Sequence, residues 1–506
     1  MSHWIIAPVV LPAVLGAFIV LTMRSDLVLQ RIFGLAGTIA LCAIAAALVW
    51  YSSYFPPEAY LLGDWPAPFG IVLMLDRLSA MMVALTALLA LIVQLYAMGS
   101  GWDARGRHFY ALMQFQLMGL CGAFLTGDLF NLFVFFEVLL IASYGLMIHG
   151  GERDRLRAGV QYVAFNLIGS TLFLFALATL YSVTGTLNIA DLAEKIAVLP
   201  PGDAALLRVA AVLLVLVFAI KGALVPLHFW LPVTYANAPG PVAALFAVMT
   251  KVGAYSVIRV FNVFLPPETP STGMLVADIL MPAALVTLVT GAVGVLAARS
   301  LARMTAFAAI ASMGTLFIAI AQFSPAATTA ALYYLIHSTL ATAALFLIVD
   351  QVNERRGTTE LNSALPAMPQ SGLIAAVYFF AAIAIAGMPP LSGFLGKLLI
   401  LEATRADAAI VWTTILVTSL LTIVGLAAAG STVFWKPNAS EAPAQVVATD
   451  PPPAAALPLV AIGVLLCLII ALTLFAGPIV TWLSATTAAL EDPAAYIDAN
   501  ALPDGG

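Results

Sequence analysis

Apolar runs long enough to cross a membrane follow one another almost without interruption along the chain. Fourteen can be placed, at 4–22, 29–50, 70–97, 109–125, 129–148, 159–181, 206–230, 241–264, 274–296, 301–322, 328–349, 373–401, 408–434 and 457–483. A bilayer core asks for ~20 apolar residues per helix, and in hydrocarbon only helices and closed barrels satisfy every backbone polar group. The sequence is 63% hydrophobic and 9% charged, against about 25% charged in a soluble domain. What lies between the runs is too short and scattered for a separate soluble domain. The reading is a single all-α, polytopic membrane domain of about fourteen transmembrane helices.

Basic residues set the expected orientation. The first run has none ahead of it and Arg24 behind it, so it reads as a span with an exported N-terminus, not a cleavable signal. Loops after odd-numbered spans hold twelve Lys and Arg, among them Arg31, Arg153, Arg155, Arg157, Arg355 and Arg356. The opposite side holds five: Arg77, Lys195, Arg208, Arg259 and Arg405. The positive-inside rule therefore predicts both termini outside. A C-terminal tail, 484–506, is acidic, with Glu491, Asp492, Asp498 and Asp504. No resident cofactor is expected. Cys42, Cys121 and Cys467 lie in separate apolar runs, without the clustering an iron–sulfur site needs. Gly396-Lys397 lacks the Ser or Thr of a phosphate loop. No all-oxygen cluster reads as a Na⁺ site, and nothing suggests nucleic-acid binding.

The remaining three of the twenty basic residues, Lys221, Lys251 and Lys397, lie inside spans, as do Glu137 and His337. An ionised group at mid-bilayer costs ~2.5–3.5 kcal/mol even on the lenient insertion scale. One structural ion pair between Glu137 and Lys221 would leave two lysines unexplained. A chain of titratable groups passing protons along the midplane explains all five. Helix breakers sit beside two of the lysines: Pro226 five residues after Lys221, and Pro389-Pro390 just before Lys397. Broken helices in corresponding positions point to an ion path in an inverted-repeat transporter. Weaker helpers are His228, which an intact helix would place on the face of Lys221, Asp128 at the mouth of the Glu137 helix, and Tyr333, Tyr334 and Ser338 around His337. Asp128, Asp278 and Asp350 fall near span ends, where snorkelling or capping accounts for them.

Three segments carry a resemblance. They are Gly127-Asp-Leu-Phe-Asn131-Leu-Phe-Val-Phe-Phe-Glu137, Lys221 with Pro226-Leu-His-Phe-Trp-Leu-Pro232, and Ala238-Pro-Gly-Pro241 ahead of Lys251. They resemble the antiporter-like superfamily that includes the large membrane subunits of complex I. Within it, the stretch around Glu137 looks like the D-type subunits of the multi-subunit Mrp-type Na⁺/H⁺ (monovalent cation/proton) antiporters. The length fits as well, without the lateral helix of one complex I subunit or the C-terminal extension of the Mrp A-type subunits. The resemblance implies two inverted five-helix repeats, spans 4–8 (109–264) and 9–13 (274–434), with the seventh and twelfth helices broken. Spans 1–3 (1–108) would precede them and span 14 (457–483) follow. It also implies assembly with other membrane subunits in a bacterial inner membrane.

The function expected is secondary transport, not enzymatic catalysis: proton movement coupled to Na⁺ (or K⁺, Li⁺) through a relay from Glu137 and Lys221, by His228 or water, to Lys251, His337 and Lys397. The competing readings are a proton-pumping subunit of a complex I-like oxidoreductase or membrane-bound hydrogenase, and an inactive scaffold. The intact set of buried charges weighs against the scaffold, and the match around Glu137 favours the antiporter.

Overall fold

The computed structural model describes residues 2–65, 69–199, 204–267, 269–270, 272–361, 365, 368–436 and 456–500. Asp504 of the expected acidic tail lies outside the described residues. The chain begins with α1 (Ser2–Thr22) and α2 (Leu27–Tyr54). Asp26 caps α2, its carboxylate accepting from the backbone N–H groups of Val28 and Leu29 at 2.9 and 3.1 Å. A short antiparallel hairpin follows, β1 (Glu58–Leu61) paired with β2 (Val72–Leu75), and then α3 (Arg77–Ser100). The run at 70–97 is thus not wholly helical. A capping box fixes the helix start: Asp76 accepts from Ser79 N at 2.8 Å, and Ser79 Oγ accepts from Asp76 N at 2.9 Å.

Next come α4 (Phe109–Leu125), α5 (Leu129–Met147), α6 (Arg153–Thr184), the amphipathic α7 (Ile189–Ala197), α8 (Ala204–Gly222), α9 (Trp230–Asn237) and α10 (Gly240–Val263). They are followed by α11 (Leu275–Ala297), α12 (Leu301–Ile320), α13 (Pro325–Arg356), α14 (Ser371–Ala386), α15 (Ser392–Ala403) and α16 (Ala408–Phe434). The chain closes with α17 (Ala456–Leu474), α18 (Ala476–Glu491) and α19 (Ala494–Ala499). Among the described residues, twelve helices are long and apolar enough to cross a membrane, and α4 and α14 are shorter apolar helices.

Two of the expected spans are each divided. Residues 223–229 separate α8 from α9, and residues 387–391 separate α14 from α15. The peptide bonds before Pro226 and Pro390 are cis. The run at 457–483 is also two helices, because Pro478 has no N–H to bond the carbonyl of Leu474 and its ring crowds that carbonyl.

Burial is uneven. Helices α10, α12 and α13 are enclosed over nearly their whole length, while α1, α2 and α16 bury only about a third of their spanning residues. Lys251 and His337 therefore sit on the enclosed helices. Close helix approach relies on small residues. A Cβ on Gly291 of α11 would fall 2.3 Å from the backbone N of Ala311, and one on Gly314 of α12 would fall 2.4 Å from Leu288 N. Gly291→Val should therefore push α11 from α12. The expected cost is at least the ~1–3 kcal/mol typical of overpacking, read as a lower thermal midpoint of the purified protein. An unchanged midpoint would contradict this packing.

Candidate functional site

Lys221 is the penultimate residue of α8, so its side chain emerges where the helix stops. Its Nζ donates to Asn166 Oδ1 at 2.9 Å and lies 5.6 Å from the centroid of the Phe136 ring. Asn166 Nδ2 donates to the backbone oxygen of Tyr162 at 2.8 Å, which turns the amide oxygen toward the ammonium. Glu137, on α5, accepts a short hydrogen bond from Ser170 Oγ. Asn166 and Ser170 are one turn apart on α6, so this helix supplies a separate neutral partner to each charge. Among the described residues no ion pair joins Glu137 to Lys221. The arrangement is the separated one.

A cavity of about 10 Å³ lies between Lys221, Asn166, Tyr162, Trp230 and Val252, room for about one water. Val252 adjoins Lys251 in sequence, and α8 and α10 touch here. A Cβ on Gly253 would fall 2.6 Å from Phe218 O and 2.8 Å from Gly222 N. The break is stitched by side chains, with Trp230 Nε1 donating to Ile220 O at 3.0 Å and Thr287 Oγ1 accepting from Val225 N at 2.8 Å. Backbone groups freed at a membrane-depth break are thereby satisfied inside the bundle.

Lys251 Nζ has Met313 Sδ of α12 at 3.2 Å, and a thioether is only a weak acceptor. In the other half, His337 Nδ1 is 2.8 Å from Ser392 Oγ, the first residue of α15, and its ring is 5.8 Å from that of Tyr334. Lys397 reaches back across the second break: its Nζ donates to the carbonyl of Ala386, which ends α14, and to Ser419 Oγ of α16, both at 2.8 Å. Gly387 occupies a left-handed φ of 76° at this point, and a Cβ there would collide with the Lys397 side chain at 2.7 Å.

Other expected members are placed differently. His228 does not stack two turns below Lys221, because α8 ends at Gly222; it sits in the break, half-buried, with Nδ1 unpartnered among the described residues. Tyr333 turns away to donate to Leu472 O at 2.9 Å, and Ser338 bonds back to Leu335 O at 3.2 Å. Asp128 caps α5 through Asn131 N at 2.7 Å. Burial pushes its carboxyl up to about 6, against the opposing hydrogen bonds from the backbone N–H groups of Asn131 and Phe130. Asp350 is not snorkelling at a surface: it is buried, accepting from Tyr96 Oη at 2.6 Å and Trp102 Nε1 at 3.0 Å, and from the backbone N–H of Gly240, where it caps the start of α10. Asn166, Ser170, Met313, Ser392 and Ser419 hold the midplane charges without standing out in the sequence. The one usable signal is the stripe Tyr162, Asn166, Ser170, at i, i+4 and i+8 on one face of an apolar span. Among the described residues, no three His, Cys, Asp or Glu stand where they could hold a metal ion.

Residues 126–422 match the family described as NADH:quinone oxidoreductase/Mrp antiporter, TM. The chain belongs to that family. It is 36% identical to the D component of a probable K(+)/H(+) antiporter of Rhizobium meliloti, covering 96% of this chain and 95% of the relative. It is 38% identical to the D component of the Na(+)/H(+) antiporter of Bacillus subtilis, covering 86% and 87%. The fold superposes on a chain in the structure of the Mrp complex from Dietzia sp. with a TM-score of 0.87 at 28% identity, covering 99% of this chain and all of that one.

Two outcomes test the site's construction. Asn166→Leu strands the Lys221 ammonium without its acceptor, and should cost about 1.5–3 kcal/mol of stability, whereas Asn166→Asp should fold. Equal stability of Asn166→Leu and wild type would mean another group takes over the ammonium. Asp128→Asn keeps the cap, since Asn and Asp rank together, but removes the titration. A carboxyl infrared band that is present below about pH 6 and lost above it should vanish in this variant. Persistence of the band would assign it elsewhere.

Proposed function

We propose that this chain is the proton-translocating D-type component of a hetero-oligomeric monovalent cation/proton antiporter in a bacterial inner membrane. The observation that carries the reading is that two lysines stand at two helix breaks, each held by neutral acceptors, with Glu137 close to the first. The named relatives support Na⁺ or K⁺ as the exchanged cation. The reading takes 109–264 and 274–434 as the two repeats, and the Arg-rich ends of α6 and α13 as the inner face.

In this mechanism Glu137 exchanges Ser170 for Lys221 and back. When the carboxylate approaches, it stabilises the ammonium; when it returns to Ser170, the ammonium keeps only the Asn166 carbonyl and can release its proton. The water-sized cavity beside Lys221 carries that proton toward Lys251. Lys251, gripped among the described residues by Met313 alone, hands it to His337, and Lys397 receives it at the second break. Charge moves by short displacements of side chains and water, a local electrostatic change that biases a two-state element. The cation path belongs to the assembled complex.

The test uses inside-out vesicles from an antiporter-deficient bacterium expressing the whole gene cluster, following collapse of the pH gradient on addition of Na⁺ or K⁺. Glu137→Ala and Lys221→Ala should each lower the cation-dependent rate at least about a hundredfold, the lower end of what one acid–base group contributes, while the complex still assembles. Wild-type vesicles without any cation response would transfer the reading to a redox-driven pump. Normal antiport in Lys221→Ala would remove the relay.

A further inference from the structure

A second, larger cavity, about 160 Å³, opens on the Arg-rich face between the two halves of the molecule. Its wall includes Glu152 and Arg155 at the start of α6, Asn237 at the end of α9, and Phe346, Asp350 and Asn353 on α13. It is polar and has room for several waters. None of the five midplane charges lines it.

Asp350 is the buried carboxylate of this wall. It is held by neutral donors, Tyr96 Oη at 2.6 Å and Trp102 Nε1 at 3.0 Å, and among the described residues it has no ion-pair partner. Gly240 is forced by its proximity, since a Cβ there would lie 2.3 Å from Asp350 Cγ. This contact sets the register of α10 against α13, which run antiparallel. Eleven residues along α10 from Gly240 is Lys251, and eleven residues back along α13 from Asp350 is Thr339, two short of His337. The cavity thus stands ~16 Å below the centre of the relay, at 1.5 Å per residue.

The intervening stretch of α13 has a distinctive order. Phe346, one turn from Asp350, closes the cavity, its ring 5.9 Å from that of Tyr235. One turn beyond is Thr342, fully buried, with an Oγ1 that has no hydrogen-bond partner among the described residues. Neighbouring Thr339 instead bonds back to Leu335 O at 2.8 Å. A buried hydroxyl without a protein partner calls for water, and this one lies behind an aromatic plug with the open polar cavity on the other side.

We infer that the cavity is the port through which Lys251 and His337 exchange protons with the inner aqueous phase. Asp350 is the carboxylate that hands the proton to the inner aqueous phase, and Phe346 is the gate between Asp350 and the water at Thr342. The step balances simply: when the ring swings aside, a protonated water beyond Phe346 protonates the carboxylate and is left as water, and the resulting acid gives the same proton to a water of the cavity, which leaves as hydronium. This rests on the proposed function for the meaning of the proton, but the port itself is a statement about access.

The experiment keeps the two separable. In the whole complex, with Cys42→Ser, Cys121→Ser and Cys467→Ser in this chain, Thr342→Cys is labelled with a membrane-impermeant, charged methanethiosulfonate in vesicles of either orientation. Labelling should come from the inner side only, slowly, and rise at least about tenfold when Phe346→Ala is added. In parallel, Asp350→Asn should lower cation-dependent pH-gradient collapse at least about tenfold in assembled complex, and Asp350→Glu should restore much of it. Labelling from the outer side, or a rate indifferent to Phe346→Ala, overturns the port. A wild-type antiport rate in Asp350→Asn, with Lys221→Ala inactive, removes Asp350 while leaving the relay intact. Inner-side labelling gated by Phe346 in vesicles that show no antiport upholds the port and refutes the transport reading.

Discussion

The bond from Lys221 to the side-chain oxygen of Asn166 sets the character of the whole midplane. A buried ion pair would hold both charges tightly, and separating them would leave each uncompensated at a cost of several kcal/mol. A neutral acceptor supports the ammonium without demanding a counter-charge in place. The same solution recurs at Lys397, bonded to a backbone carbonyl and a serine, and in its weakest form at Lys251, beside a thioether. Carboxylate partners are used elsewhere. The bidentate pairs Arg31–Asp103 and Arg259–Asp76 stand at helix ends, with N···O distances of 2.5–2.9 Å. Firm pairs fix the frame there, and the interior keeps its charges loosely held.

Loosely held charge needs a rigid surround, and the helix order supplies one. The breaks after Gly222 and Ala386 free backbone groups at a depth where lipid offers no partner, so both must lie inside the bundle. At the first break, Trp230 and Thr287 take up the freed groups; at the second, Lys397 itself takes the carbonyl of Ala386. The second lysine is thus part of its own helix's repair, which ties its position to the geometry of the break. The first is not, because Trp230 and Thr287 close its break instead.

Much of this is legible in the sequence, for reasons that differ by level. The helices are readable because the bilayer imposes one length and one composition. The hairpin at 58–61 and 72–75 is not, since β2 is apolar and continuous with the run that becomes α3, and only the Asp76–Ser79 box separates them. The five midplane residues announce themselves by cost. Their partners do not, because a lone Asn or Ser in an apolar helix ordinarily bonds back to its own backbone, as Thr339 and Ser338 do. His228 misleads because stacking on Lys221 requires a continuous helix that Pro226 prevents. Asp350 reads as an ordinary span-end residue because position along a span says nothing about which way a side chain faces. Only the antiparallel packing of α10 on α13 shows it to be internal.

The sulfur beside Lys251 carries a vulnerability of its own. A thioether holds an ammonium feebly, which suits the role proposed for Lys251. Oxidation to the sulfoxide would turn Met313 into a strongly polar oxygen acceptor in the same place. The lysine would then be tethered rather than poised, and in the proposed relay one added atom on a neutral residue would stall proton flow without removing any titratable group.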